Sequence, residues 1–120
     1  MTDTHLKTIL FDLDGTLINS LPAYIVSFQQ NIREVTGREI SAEELAGRIS
    51  IPTPRILEYY AAPEQIPGMV ARHNELMRHN TGLITFYPGV PEALRSLCAA
   101  GLKLGVVTSQ IEGELATTRA

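Results

Sequence analysis

The stretch Phe11-Asp12-Leu13-Asp14-Gly15-Thr16 limits what this chain can become more than any other. It follows the apolar run Thr8-Ile9-Leu10, so two carboxylates one residue apart arrive where a buried strand emerges into a turn. A carboxylate removed from water without a partner costs several kcal/mol or shifts its pKa. Two of them at one strand tip therefore require a cation, a shared proton or open solvent. Gly15 supplies the freedom for a sharp turn, and Thr16 brings a hydroxyl to the same place. An Asp-Gly pair alone marks only a turn. The whole string, set between a strand and a helix, says more.

The flanking segments read as alternating strands and helices. Leu6 to Phe11 is expected to be a strand covered on both faces, because its apolar residues are consecutive rather than alternating. Pro22 suits a first helical turn, and the helix it opens is expected to reach Thr36 with Tyr24, Ile25, Phe28, Ile32 and Val35 on one apolar face. Ser41-Ala42-Glu43-Glu44 has the form of a reciprocal capping box, opening a short helix toward Arg48. Thr53 is expected to cap, and Pro54 to open, another short helix through Tyr60. A longer helix spans Pro67 to His79, with Val70, His73, Leu76 and Met77 on one side. Pro91 to Ala100 reads as a helix burying Val90, Leu94, Leu97 and Cys98, and Leu102 to Val107 as a strand ending at Thr108-Ser109. This order is α/β: a parallel pair joined by a long crossover, its two polar tips side by side beyond the carboxyl ends of the strands.

Length and charge narrow the class. At 120 residues and 44% hydrophobic content these residues are expected to hold no second large domain. A formal charge of -3, with no run of Lys or Arg, gives no electrostatic footprint for nucleic acid or an anionic membrane surface. No stretch has the length of a membrane span and the first residues lack the pattern of a signal peptide, so a cytoplasmic protein is expected. A single cysteine, Cys98, cannot form an intramolecular disulfide, in keeping with a reducing compartment. His73 and His79 are six apart and share no helical face, so both are read as packed or solvated rather than as a metal pair. Arg48, Arg55 and Arg72 offer contacts to an anionic substrate, but the more common role of each is a solvated surface charge.

The two tips together define a chemistry. An Asp carboxylate is a competent nucleophile toward phosphorus. A second carboxylate nearby can protonate the leaving oxygen and then activate water. Mg²⁺, a hard cation preferring oxygen ligands, lets two carboxylates share a small space and offsets phosphoryl charge. The Thr108 hydroxyl and the Ser109 backbone N–H are placed to hold the remaining phosphoryl oxygens.

These residues resemble the haloacid dehalogenase superfamily of phosphohydrolases. Asp12-Leu13-Asp14-Gly15-Thr16 matches its first motif, DxDGT, and Leu104-Gly105-Val106-Val107-Thr108 is similar to its second, an apolar strand ending in Thr or Ser. Tyr87-Pro88-Gly89-Val90 before a Leu-rich helix resembles the approach to that second motif. The helices between Pro22 and Leu83 are similar to the helical cap of the phosphoglycolate phosphatase-like and phosphoglucomutase-like branch. The resemblance implies a partial Rossmann-like core sheet from residues 1–20 and 83–120, with a cap inserted after strand one at 21–82. It implies Asp12 as nucleophile and Mg²⁺ ligand, and Asp14 as general acid/base giving its backbone carbonyl to the metal. Thr16 would orient Asp14, and Gly15, Thr16, Thr108 and Ser109 would form the substrate-binding set. The implied activity is Mg²⁺-dependent hydrolysis of a small phosphorylated metabolite through an aspartyl-phosphate. A sugar-phosphate mutase is an alternative, while Asp14 makes the dehalogenase branch less suited.

The branch carries a further lysine and an acidic pair at later strand tips, whereas Lys7 and Lys103, the only lysines here, lie at strand beginnings. Residues 111–120 read as a helix with no strand after it. The expectation is thus of roughly the first half of such an enzyme, weakly active or inactive alone. The alternative function is a non-catalytic phosphate-binding or interaction module, self-associating through an incomplete sheet.

Overall fold

The computed structural model describes residues 6–108. Ser109 and the 111–120 helix expected from the sequence lie outside the described residues. The described residues divide into two compact units, one holding residues 6–20 and 85–108, the other holding Leu21–Ile84.

The first unit is built on a parallel pair. β1 (Thr8–Asp12) lies beside β4 (Lys103–Val107) in the register Thr8↔Lys103 through Asp12↔Val107. The Lys103 N–H donates to the Lys7 carbonyl at 2.8 Å, closing the opposite end of the ladder from the two aspartates. Leu10 faces Gly105 across the pair, where a Cβ would stand 2.9 Å from Leu10 Cδ2, so glycine gives that side chain its room. β4 follows α5 (Val90–Ala99), which packs against it. A short antiparallel pair, β2 (Ile18–Asn19) with β3 (Thr85–Phe86), completes the unit. Two-residue strands carry no hydrophobic period, which is why the sequence did not announce them.

Two expectations for this unit need correction. β1 is not covered on both faces: Ile9 and Phe11 are half-buried, while Thr8, Leu10 and Asp12 are exposed, the period of two of a strand with one sheltered face. Leu10 is 63% and Val107 60% exposed. Cys98 is not a core residue; it is exposed, and α5 has no fully buried side chain, with Val90, Leu94 and Leu97 only half-buried.

The second unit is helical: α1 (Leu21–Thr36), α2 (Ala42–Ala46), α3 (Thr53–Leu57) and α4 (Ile66–His79), with short 3₁₀ turns at Pro63–Gln65 and Thr81–Leu83. α1 packs on α2 and α4, and α3 on α4. Its core contains Phe28, Ile32, Leu45, Ile56 and Leu57, each at most 2% exposed and each worth roughly 1.5–3 kcal/mol of burial. Val35, in the last turn of α1, is exposed instead of joining that face. Side-chain amides tie the helices: buried Asn31 Nδ2 donates to the Met69 carbonyl at 2.8 Å, and half-buried Asn80 Nδ2 to Ser27 Oγ at 3.1 Å. His73 is fully buried in α4, its ring centroid 4.6 Å from that of Phe28 and 5.8 Å from that of Tyr24.

The caps differ in part from the sequence reading. Ser41 Oγ accepts from the Glu44 N–H at 3.1 Å, but the Glu44 carboxylate turns away to accept from the Tyr60 hydroxyl at 2.6 Å. A tertiary donor replaces the local one. Thr53 is the first residue of α3, buried, and the N-cap position falls on Pro52.

Candidate active site

Asp12 is the last residue of β1, and its register partner on the neighbouring strand is Val107. Thr108 therefore follows directly beyond the same end of the sheet, about 5 Å across, the ordinary spacing of paired strands. The chain order alone could not fix this; the parallel register does.

After Asp12 the backbone wraps around one carbonyl. The amides of Thr16, Leu17 and Ile18 all point to Leu13 O at 3.3, 3.0 and 3.2 Å, and Gly15 N–H reaches Ile18 O at 2.9 Å. Gly15 sits at φ +80°, a conformation that costs a residue with a Cβ about 1–2 kcal/mol. The buried Leu13 side chain anchors the loop from below, and Asp12 and Asp14 flank it. Asp12 is exposed, its Oδ1 accepting from the Leu13 N–H at 2.9 Å. Asp14 is half-buried, its Oδ1 accepting from the Ser20 hydroxyl at 2.5 Å. Gly15 and Thr16 are exposed at the turn, and Thr108 is half-buried.

The structure thus brings Asp12, Asp14, Gly15, Thr16 and Thr108 to one end of the strand pair, while Ser109 lies outside the described residues. It adds Ser20, which the motif did not point to. The available signal was a hydroxyl six residues after Asp14 and immediately before a helix, too common a pattern to single out. Lys7 and Lys103 are at the far end, at the start of β1 and β4.

Mg²⁺ fits the donors present. The tip offers the Asp12 carboxylate and the Asp14 backbone carbonyl, hard oxygens at an exposed loop. Mg²⁺ characteristically binds through one or two carboxylates while keeping waters and taking substrate phosphate oxygens. Among the described residues no group of three or more His, Cys, Asp or Glu side chains converges.

In the helical unit the arginines are differently engaged. Arg72 is held by Glu34 at 2.9 Å and Glu75 at 3.1 Å, and its hydrogen bond to Glu34 keeps that carboxyl below its ordinary range. Arg48 lies 3.9 Å above the Tyr59 ring and its Nε donates to the Tyr60 hydroxyl at 3.0 Å. Burial, reinforced by Glu44, raises the pKa of that hydroxyl. No helix among the described residues is long and apolar enough to cross a membrane.

Comparison with known proteins gives the family. The family model described as haloacid dehalogenase-like hydrolase matches residues 9–118. A protein from Bacillus pumilus (strain SAFR-032) named pyrophosphatase PpaX is 32% identical over 114 residues, covering 92% of this chain and 51% of that protein. One of the same name from Listeria monocytogenes serotype 4a is 34% identical over 110 residues, covering 88% and 49%. The chain spans about half the length of these relatives. The crystal structure of a predicted phosphoglycolate phosphatase from Haemophilus somnus superposes with a TM-score of 0.80 at 26% identity, over 91% of this chain and 54% of that one.

Proposed function

Because the chain belongs to the haloacid dehalogenase-like hydrolases, we propose that it carries the nucleophile half of a Mg²⁺-dependent phosphomonoester hydrolase site. The observation that carries this reading is the meeting of Asp12, Asp14 and Thr108 at one end of the β1/β4 pair, set by the Asp12↔Val107 register.

In this reading an Asp12 oxygen attacks phosphorus, and the bond from phosphorus to the leaving oxygen breaks as Asp14 gives that oxygen a proton. A water then attacks the phosphorus of the aspartyl-phosphate, Asp14 takes its proton, and the Asp12–phosphate bond breaks. The Thr108 hydroxyl donates to a non-bridging phosphoryl oxygen, and the turn at Gly15 and Thr16 lets the substrate approach the backbone closely. The Asp12 carboxylate and the Asp14 carbonyl would hold Mg²⁺, which would supply countercharge to the phosphoryl group.

The substrate class is a small phosphorylated anion handled in the cytoplasm. Pyrophosphate and phosphoglycolate, named for the relatives and the structural neighbour, are the first candidates. We read the helical unit, Leu21–Ile84, as the cap. The exposed Leu10 and Val107 side chains favour self-association through the open face of the strand pair, which sedimentation would test as a mass that rises with concentration.

The test is phosphoryl transfer to the chain. With p-nitrophenyl phosphate and Mg²⁺, the wild type is expected to release nitrophenol only slowly while gaining a phosphoryl group on Asp12, read by intact-mass spectrometry after acid quench, and Asp12→Asn is expected to do neither. Equal labelling of both would refute the reading. A second reading, phosphate binding without turnover, is favoured by the placement of both lysines at the far end of the strands, away from the phosphoryl charge. Phosphate binding with no labelled Asp12 would select it.

A further inference from the structure

We infer that Ser20 is a positioning residue for Asp14, fixing the carboxyl that exchanges protons in the proposed reaction. This rests on the phosphatase reading above. Ser20 is 4% exposed, a hydroxyl almost wholly withdrawn from solvent, and it donates to Asp14 Oδ1 at 2.5 Å. A buried hydroxyl must find a partner or forfeit its desolvation cost, and a carboxylate is the strongest acceptor open to it.

The backbone around Ser20 explains why it can act as a fixed point. On one side Ile18 and Asn19 pair with Phe86 and Thr85 in β2 and β3; on the other, Leu21 begins the sixteen-residue helix α1. Ser20 is the single residue between two hydrogen-bonded elements. Asp14 is on the loop, with its own backbone bridged to Ile18. A carboxyl can turn about two side-chain bonds, and only part of that range aims an oxygen at a leaving group. Ser20 selects one orientation before substrate arrives. Reaction rates depend steeply on such placement, and a shift of about 1 Å in a reacting group can cost roughly a hundredfold.

Asp12 does not share this support. Its Oδ1 takes the adjacent Leu13 N–H, a local contact within the strand end. Loss of Ser20 is therefore expected to affect the steps in which a proton moves more than the attack by Asp12. With p-nitrophenyl phosphate, whose leaving oxygen needs little protonation, formation of the Asp12 phosphoryl adduct should fall less than twofold or so. Its hydrolysis, which needs water activated by Asp14, should slow by roughly tenfold to a hundredfold. With an alkyl phosphate both steps should slow, with KM nearly unchanged.

The experiment compares wild type, Ser20→Ala, Ser20→Thr and Asp12→Asn in the full 120-residue chain, following adduct formation and decay by quenched-flow mass spectrometry. Slow decay in Ser20→Ala with restoration in Ser20→Thr supports the inference. Wild-type decay in Ser20→Ala overturns it, as does equal slowing in both Ser20 variants, which would assign the effect to packing. If Asp12→Asn is labelled as fast as wild type, the phosphatase reading itself fails and the inference with it. If Asp12→Asn is inert and Ser20→Ala matches wild type, only the inference fails. Amide spectra of the same proteins read the contact without turnover. Ser20→Ala is expected to shift and broaden the Asp14, Gly15 and Thr16 resonances while Ser20→Thr preserves them; a Ser20→Ala spectrum unchanged at those three residues overturns the inference.

Discussion

His73 makes the stability of the helical unit depend on pH in a direction that can be worked out in advance. Its imidazole is 0% exposed between the Tyr24 and Phe28 rings, and burial lowers its pKa from the ordinary 6.5 to about 4. The folded chain therefore resists a proton that the unfolded chain accepts. Well above pH 6.5 neither state is protonated there and His73 costs nothing. As pH falls from 6.5 toward 4 the unfolded state gains the proton alone, and stability drops by about 1.4 kcal/mol per pH unit, roughly 3 kcal/mol in all. Below the folded pKa the loss levels off. Against a typical total of about 5–15 kcal/mol this is a large fraction. Urea denaturation followed by circular dichroism at several pH values between about 8 and 4 measures the curve, and His73→Phe, which keeps an aromatic ring in the stack, provides the reference. The difference between the two proteins should be flat above about pH 7 and fall by roughly 3 kcal/mol toward pH 4. Parallel curves would refute the argument, because other carboxylates titrate in both chains equally.

Three further outcomes follow from the packing. Phe28→Ala empties a fully buried position beside His73 and should cost about 3–5 kcal/mol in the same denaturation assay; a loss below about 1 kcal/mol would contradict the core as described. Gly15→Ala meets no atom within 4 Å of the new Cβ, so its cost of about 1–2 kcal/mol should be purely conformational, and Gly15→Asn, more tolerant of a positive φ, should lose less. Tyr60→Phe removes a hydroxyl that donates to Glu44 and accepts from Arg48, and is expected to lower stability by about 1 kcal/mol, with Glu44→Gln closer to wild type.

How much was legible beforehand varies with the range of the interaction. The DxDGT string, the helix faces around Phe28, Ile32 and His73, and the apolar strand before Thr108 are local signals, and each lies where its own period or turn residue puts it. The short β2/β3 pair, the diversion of Glu44 from Ser41 to Tyr60, and the exposure of Leu10 and Cys98 were not legible. Each depends on a residue distant in sequence, and an apolar run does not say which of its faces will be covered.

The sequence by itself determined the chemistry on offer: two carboxylates flanking a leucine, a glycine to turn the chain after them, and a hydroxyl at the end of a second apolar strand. Residue identity and spacing suffice for that, because nucleophile, acid and turn are properties of side chains and local backbone. Only the tertiary structure decided that Asp12 and Thr108, nearly the whole chain apart, share one strand end, since a one-residue change in parallel register would move one tip past the other. Only it tied Asp14 to Ser20, because a hydrogen bond requires a distance, and distance across a loop is set by the β2 and β3 pairing that holds the loop's return.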